Sequence, residues 1–126
     1  MCQEFELDIE ATIIPKIAFG FTGGIGNTGD VCGAVAGAVM AIGLKQEQSK
    51  NIEESLQSLA VVQEFRRSFE DKMGTINCRE FTGADLSTPE GIEQYMSSDT
   101  PQTVCFPAVG VANKLVTDVL NPFSWG

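Results

Sequence analysis

From Ile52 to Met73 the apolar residues advance by three or four positions, so that Ile52, Leu56, Leu59, Val62, Phe65, Phe69 and Met73 form one continuous helical stripe. Glu53, Glu54, Glu64, Arg66, Arg67, Glu70, Asp71 and Lys72 take the other faces, as a solvated surface requires. Asn51 is placed to cap this helix and Gly74 to end it. A different pattern follows Asp30, where no charge occurs until Lys45. Val31 to Ile42 is apolar on every side, which predicts a helix capped by Asp30, enclosed by protein and ended by Gly43. Gly33 and Gly37 lie four apart beside Ala34, Ala36, Ala38 and Ala41, a face that another helix can approach closely.

Ahead of this segment, Ile9, Ile13, Ile14, Ile17 and Ala18 predict a helix over Ile9 to Phe19, capped by Asp8 and kinked or delayed by Pro15. Gly20 to Gly29 then reads as a loop with glycine at 20, 23, 24, 26 and 29. After Gly74, Ile76-Asn77-Cys78 leads through Arg79-Glu80-Phe81 into a short turn closed by Gly83. Ser87-Thr88-Pro89-Glu90 carries a capping box and a first-turn proline, which predicts a helix from Pro89 to Met96. Ser97 to Thr103 reads as a polar loop, followed by a last helix from about Phe106 to Leu120 and a stop at Asn121-Pro122. No segment alternates with the period of two that a half-buried strand needs. The expected fold is therefore all-α: one domain over residues 1–126, a helical bundle around the buried Gly/Ala-rich helix.

Composition narrows the function. A net charge of −9, with eight scattered Lys and Arg, disfavours nucleic acid and an anionic membrane surface. Val31 to Leu44 is fourteen residues of uncharged chain against about twenty needed to span a bilayer. The acidic start, MCQEFELDIE, has neither the basic nor the apolar part of a signal peptide, so a cytoplasmic protein is expected. In that compartment the four cysteines read as metal ligands or redox thiols before structural disulfides, with simple buried packing as the alternative. Histidine is absent, which removes Ser-His-Asp and Cys-His catalysis and imidazole metal sites from this chain.

Gly24-Ile25-Gly26-Asn27-Thr28-Gly29 has the spacing of a dinucleotide loop, but a helix rather than a buried strand precedes it and no βαβ unit follows. A packing or cofactor-approach role fits these glycines better. Cys32 falls in the first turn of the apolar helix and Cys105 just before Phe106-Pro107, positions where a helix N-terminus favours a thiolate. Asp30 opposes that effect at Cys32, and Arg79 favours a thiolate at Cys78. The separations, 46 residues from Cys32 to Cys78 and 27 from Cys78 to Cys105, match no zinc-ribbon or ferredoxin spacing, so convergence rests on the tertiary fold.

At these residues the chain resembles the family of putative redox-active proteins characterised by a C…CGAxxG…C…C pattern. Cys32-Gly33-Ala34-Val35-Ala36-Gly37 carries the central motif within GFTGGIGNTGDVCGAVAGAVMAIGLK; INCREFTGADLSTPEG resembles the second block, with Cys78, and Cys105 resembles the last cysteine. The family's first cysteine falls in an N-terminal helix, upstream of this sequence if Glu6-Leu7-Asp8 aligns as it reads, and Cys2 is its candidate substitute. The family is also distantly similar to split-Soret cytochrome c, a dimeric haem protein, but no C-x-x-C-H occurs here, so haem attachment does not carry over.

The resulting expectation is a cysteine-based redox or metal-binding protein. Its thiols Cys32, Cys78 and Cys105, with Cys2 as a further ligand, serve either thiol–disulfide cycling or an iron–sulfur or zinc site. Gly23, Gly24, Gly26 and Gly33 form the approach to the cofactor. A homodimer and an electron-transfer partner protein are the expected associations. The alternative is a non-catalytic binding or structural module, in which the glycine loop holds a small anionic ligand and the cysteines only pack.

Overall fold

The computed structural model describes residues 13–46 and 49–120. Six α-helices and no strand occur among them: α1 (Ile13–Ala18), α2 (Gly33–Lys45), α3 (Ile52–Met73), α4 (Cys78–Thr82), α5 (Pro89–Ser97) and α6 (Phe106–Leu120). The fold is all-α. A tight 3₁₀ turn, Phe19–Phe21, follows α1, and a π-helical turn, Pro101–Cys105, runs directly into α6. Asp8, Ile9, Cys2 and the stop at Asn121-Pro122 lie outside the described residues.

Helix ends follow local chemistry most closely in α3. The Asn51 side chain accepts from the Glu54 N–H at 2.8 Å, and Gly74 closes the helix at φ 86°, in the left-handed region that glycine enters without penalty. Thr88 caps α5 in the same way, accepting from the Gly91 N–H at 3.0 Å.

Two boundaries differ from the pattern-based expectation. Helix α2 begins at Gly33 rather than Val31, because Val31 forms an isolated antiparallel bridge with Asn77 and the Cys32 N–H donates to Ile76 O at 2.7 Å. Cys32, not Asp30, is the N-cap, and Gly43 lies inside the helix, which runs on to Lys45. The segment 97–103 is also not simply a loop. Pro101 suits a helix's first turn, where its missing N–H costs nothing, so the helical path to α6 starts there. Pro107 has no N–H for the carbonyl four residues back, and the preceding turn is widened, with the Phe106 N–H reaching Pro101 O.

The core joins three helices: Val35, Ala38, Ala41 and Ile42 of α2, Phe65 and Phe69 of α3, and Ala108, Ala112, Leu115 and Val116 of α6. Both α2 and α3 pack chiefly on α6. The span Pro101–Leu120 is long and apolar enough to cross a bilayer by length and composition, and here it forms the surface on which the other two helices rest.

Enclosure of the Gly/Ala-rich helix on every side is not what the described residues show. Gly33, Gly43 and Leu44 are exposed, and a Cβ on Gly37 would meet nothing within 4 Å. This side of α2 opens on an apolar groove of about 750 Å³ shared with Ile14, Ile17 and Val109. The α3 stripe is likewise buried only in part. Phe65 and Phe69 are fully buried, whereas Ile52, Leu56 and Leu59 are exposed. Twenty-two residues make a rod of about 33 Å against about 20 Å for the thirteen of α2, and it is the C-terminal half of α3 that lies in the core.

Candidate functional site

The glycine loop is the first wall of the site. Gly23, Gly24, Ile25, Gly26 and Asn27 lie consecutively in the left-handed region, with φ between 62° and 75°, and Gly29 follows at 79°. The loop coils on itself: Ile25, Gly26, Asn27, Gly29 and Asp30 N–H groups donate to Phe21, Gly20, Thr22, Gly23 and Gly24 carbonyls. The Thr28 hydroxyl adds a bond to Gly24 O at 2.7 Å. Those N–H groups are spent inside the loop rather than presented to an anion.

What the coil does present is a surface for α4. A Cβ on Gly24 would stand 2.7 Å from Cys78 Cβ and 2.6 Å from the Asp30 backbone, and a Cβ on Gly29 would stand 2.9 Å from Arg79 Cβ. Gly23 is closed off by the Asn27 side chain, Gly26 has open space, and a Cβ on Gly33 would stand 3.6 Å from Phe21 O, an ordinary contact. Cys78 and Arg79 N–H groups donate to Asp30 O and Gly29 O at 2.7 and 3.0 Å, so loop carbonyls take the first orphan donors of α4. Phe81 then anchors α4 to the main core, edge-on to Phe69 at 6.1 Å.

The Val31–Asn77 bridge brings the two cysteine segments together: the Cys32 N–H donates to Ile76 O and the Cys78 N–H to Asp30 O, each cysteine following the bridged residue by one. Cys78 is 9% exposed and packs with Ala84, Leu86 and Tyr95, while Cys32 and Cys105 are half-buried. The π turn carrying Cys105 packs on α4, and the Tyr95 hydroxyl of α5 donates to Cys105 Sγ at 3.3 Å. Segments 27 and 46 residues apart in the chain are therefore brought into one neighbourhood, and the three cysteines they carry are free thiols.

Cys78 and Tyr95 lie within reach of the charge on the other thiols. Burial pushes the Cys78 thiol above its ordinary value, and charge on Cys32 and then on Cys105 pushes it further in the same direction. The Tyr95 phenol is also raised, first by burial, next by the hydrogen bond it donates to Cys105, then by charge on Cys105, Cys78 and Cys32. The expected assistance from Arg79 does not reach Cys78. Its guanidinium turns to Asp85 at 3.4 Å, where the Ser87 hydroxyl and N–H already hold the Asp85 carboxyl below the usual carboxylate range. Nor does Cys105 stand ahead of a helix, since it closes a π turn within a continuous helical run.

Among the described residues no group of three or more Cys, Asp or Glu side chains is placed to hold a metal ion. Charge on Cys32 and Cys105 reaches Cys78 over several ångströms, but a shared ion needs every sulfur within about 2.3 Å of it. Cys2, the further ligand expected from the sequence, lies outside the described residues.

Tyr95 is the neighbour of Cys105 and Cys78 that the sequence patterns did not single out. Its one available signal was that it is the chain's single tyrosine, on a short helix ten residues before Cys105.

No curated protein and no solved structure matches the chain. A family model does, over residues 1–119, and it is named for a C…GCAxxG…C…C pattern; the central run here reads Cys32-Gly33-Ala34-Val35-Ala36-Gly37. Because the match covers nearly the whole chain, this protein belongs to the C_GCAxxG_C_C family, described as putative redox-active proteins.

Proposed function

We propose that the cluster of Cys32, Cys78 and Cys105 is a dithiol–disulfide exchange centre serving a partner that carries a disulfide or a dithiol. The observation that supports this most is that backbone pairing sets the Cys32 segment against the Cys78 segment, while the π turn carrying Cys105 packs on the helix that Cys78 begins. Exchange needs two sulfurs to reach one another, a single pairwise adjustment, whereas a zinc or iron–sulfur site needs three or four to converge at once.

The rival reading, an anion-binding module on the glycine loop, has less support. The loop N–H groups named above are spent internally, and the polar cleft outside it, about 420 Å³, holds the carboxylates of Asp30 and Glu80 against the lone guanidinium of Arg79.

The test is oxidation of the reduced full-length chain with excess oxidised dithiothreitol, followed by alkylation of remaining thiols and peptide mapping by mass spectrometry. An intramolecular disulfide that includes Cys78 is expected. A chain that keeps Cys32, Cys78 and Cys105 all alkylatable overturns the proposal.

A further inference from the structure

We infer that Tyr95 is a positioning residue that makes Cys105 the entry thiol of the cluster, the sulfur that meets the incoming disulfide, with Cys78 closing the bond behind it. This rests on the exchange reading given above. The hydroxyl of Tyr95 donates to Cys105 Sγ at 3.3 Å, and an O–H donor stabilises negative charge on the sulfur it faces. At the N-cap of α2, by contrast, Cys32 makes no side-chain cap hydrogen bond. Cys78 is too enclosed to meet a second molecule first, being packed among Ala84, Leu86 and Tyr95 beneath Gly24.

Tyr95 is itself held in place from two sides. Thr88 caps α5, and the Asp85 carbonyl sits directly against Gly91, where a Cβ would collide with it, so the start of the helix is pinned one turn before Tyr95. Cys105 is fixed by the π turn between Pro101 and Pro107.

In the first step the Cys105 sulfur attacks one sulfur of the partner disulfide; the partner S–S bond breaks, and the departing thiolate takes up the proton that Cys105 gave up. In the second, Cys78 attacks Cys105 Sγ, the mixed disulfide breaks, and the second partner thiolate leaves with the proton from Cys78. The partner gains two electrons and two protons, and a Cys78–Cys105 disulfide remains.

Brief reaction of the reduced full-length chain with substoichiometric dithiodipyridine, followed by peptide mapping, reads the entry point. Capture at Cys105 ahead of Cys32 and Cys78 is expected, and in Cys78→Ser the mixed disulfide on Cys105 persists. Tyr95→Phe keeps the ring and removes the hydroxyl; capture at Cys105 then falls roughly five- to tenfold while capture at Cys32 is unchanged. A purely structural role is separated by the phenolate absorbance of the single tyrosine, whose titration in Cys105→Ala moves down toward its ordinary value of 10. Unchanged capture in a folded Tyr95→Phe, or an unchanged titration in Cys105→Ala, overturns the inference, and the titration alone decides it if Tyr95→Phe does not fold. Failure of the chain to form any intramolecular disulfide overturns the exchange reading instead and leaves both of these readouts interpretable.

Discussion

Gly24 and Ile25 stand side by side in the left-handed region, at φ 75° and 63°, and they respond to substitution in opposite directions. An alanine at 24 adds a methyl against Cys78 Cβ and the Asp30 backbone as well as an unfavourable conformation; Gly24→Ala is expected to lose about 1–3 kcal/mol. Ile25 is partly exposed and β-branched, so Ile25→Gly is expected to gain about 1 kcal/mol by removing the conformational cost. Urea melts of the two variants check both signs.

Cys78 sets a pH limit at the same scale. Its folded-state value lies above the ordinary 9.0, so the folded protein holds this proton more tightly than the unfolded chain does. The stabilisation is complete below about pH 9 and is lost as pH rises through the folded value. Thermal midpoints recorded upward from pH 8 should therefore fall beyond pH 9. In Cys78→Ala the fall should begin only above about 10, where Tyr95 takes over with the same sign.

At the scale of elements, α3 shows how one apolar stripe divides into two energetic halves. Phe65 and Phe69 are fully buried, with ring centroids 6.0 Å apart, and Phe69 also meets Phe81 of α4. Phe69→Ala leaves a cavity between the main core and the helix that carries Cys78, and is expected to cost about 3–5 kcal/mol. Leu56 belongs to the same stripe but is 63% exposed; Leu56→Gln is expected to stay within about 0.5 kcal/mol of the parent chain. Denaturant unfolding of the pair tests whether tertiary reach, rather than helical period, sets the contribution of each position.

For the molecule as a whole, the proposed exchange links redox state to stability. A bond between Cys78 and Cys105 closes a loop of 27 residues, which in the chain-entropy model adds about 3–4 kcal/mol by restricting the unfolded chain. Calorimetry of oxidised and reduced chains should show the higher midpoint for the oxidised form. Cys78→Ala should remove the difference.

Interactions within four residues were legible in the amino-acid order: the helical period of α3, the cap at Asn51, the proline start of α5, the left-handed ends at Gly74 and Gly83, and the all-α class; the Ser87–Glu90 capping box did not form, because Ser87 bonds to Asp85 and Thr88 caps α5 instead. Cys32, Cys78 and Cys105 were legible as thiols, though not as neighbours. Interactions between distant segments decided the rest. A bridge to Asn77 moved the start of α2 past Cys32, and α6 rather than α2 became the helix on which the others pack. Burial raised Cys78 where a neighbouring arginine in sequence suggested the reverse, because Arg79 had Asp85 to turn to. The hydroxyl of Tyr95 reached Cys105 because the fold packs Tyr95 against Cys78, Ala84 and Leu86. Period and capping are set by local backbone hydrogen bonds, so the sequence alone determines them; desolvation and the meeting of sulfurs depend on which surfaces pack together, and only the tertiary structure decides that.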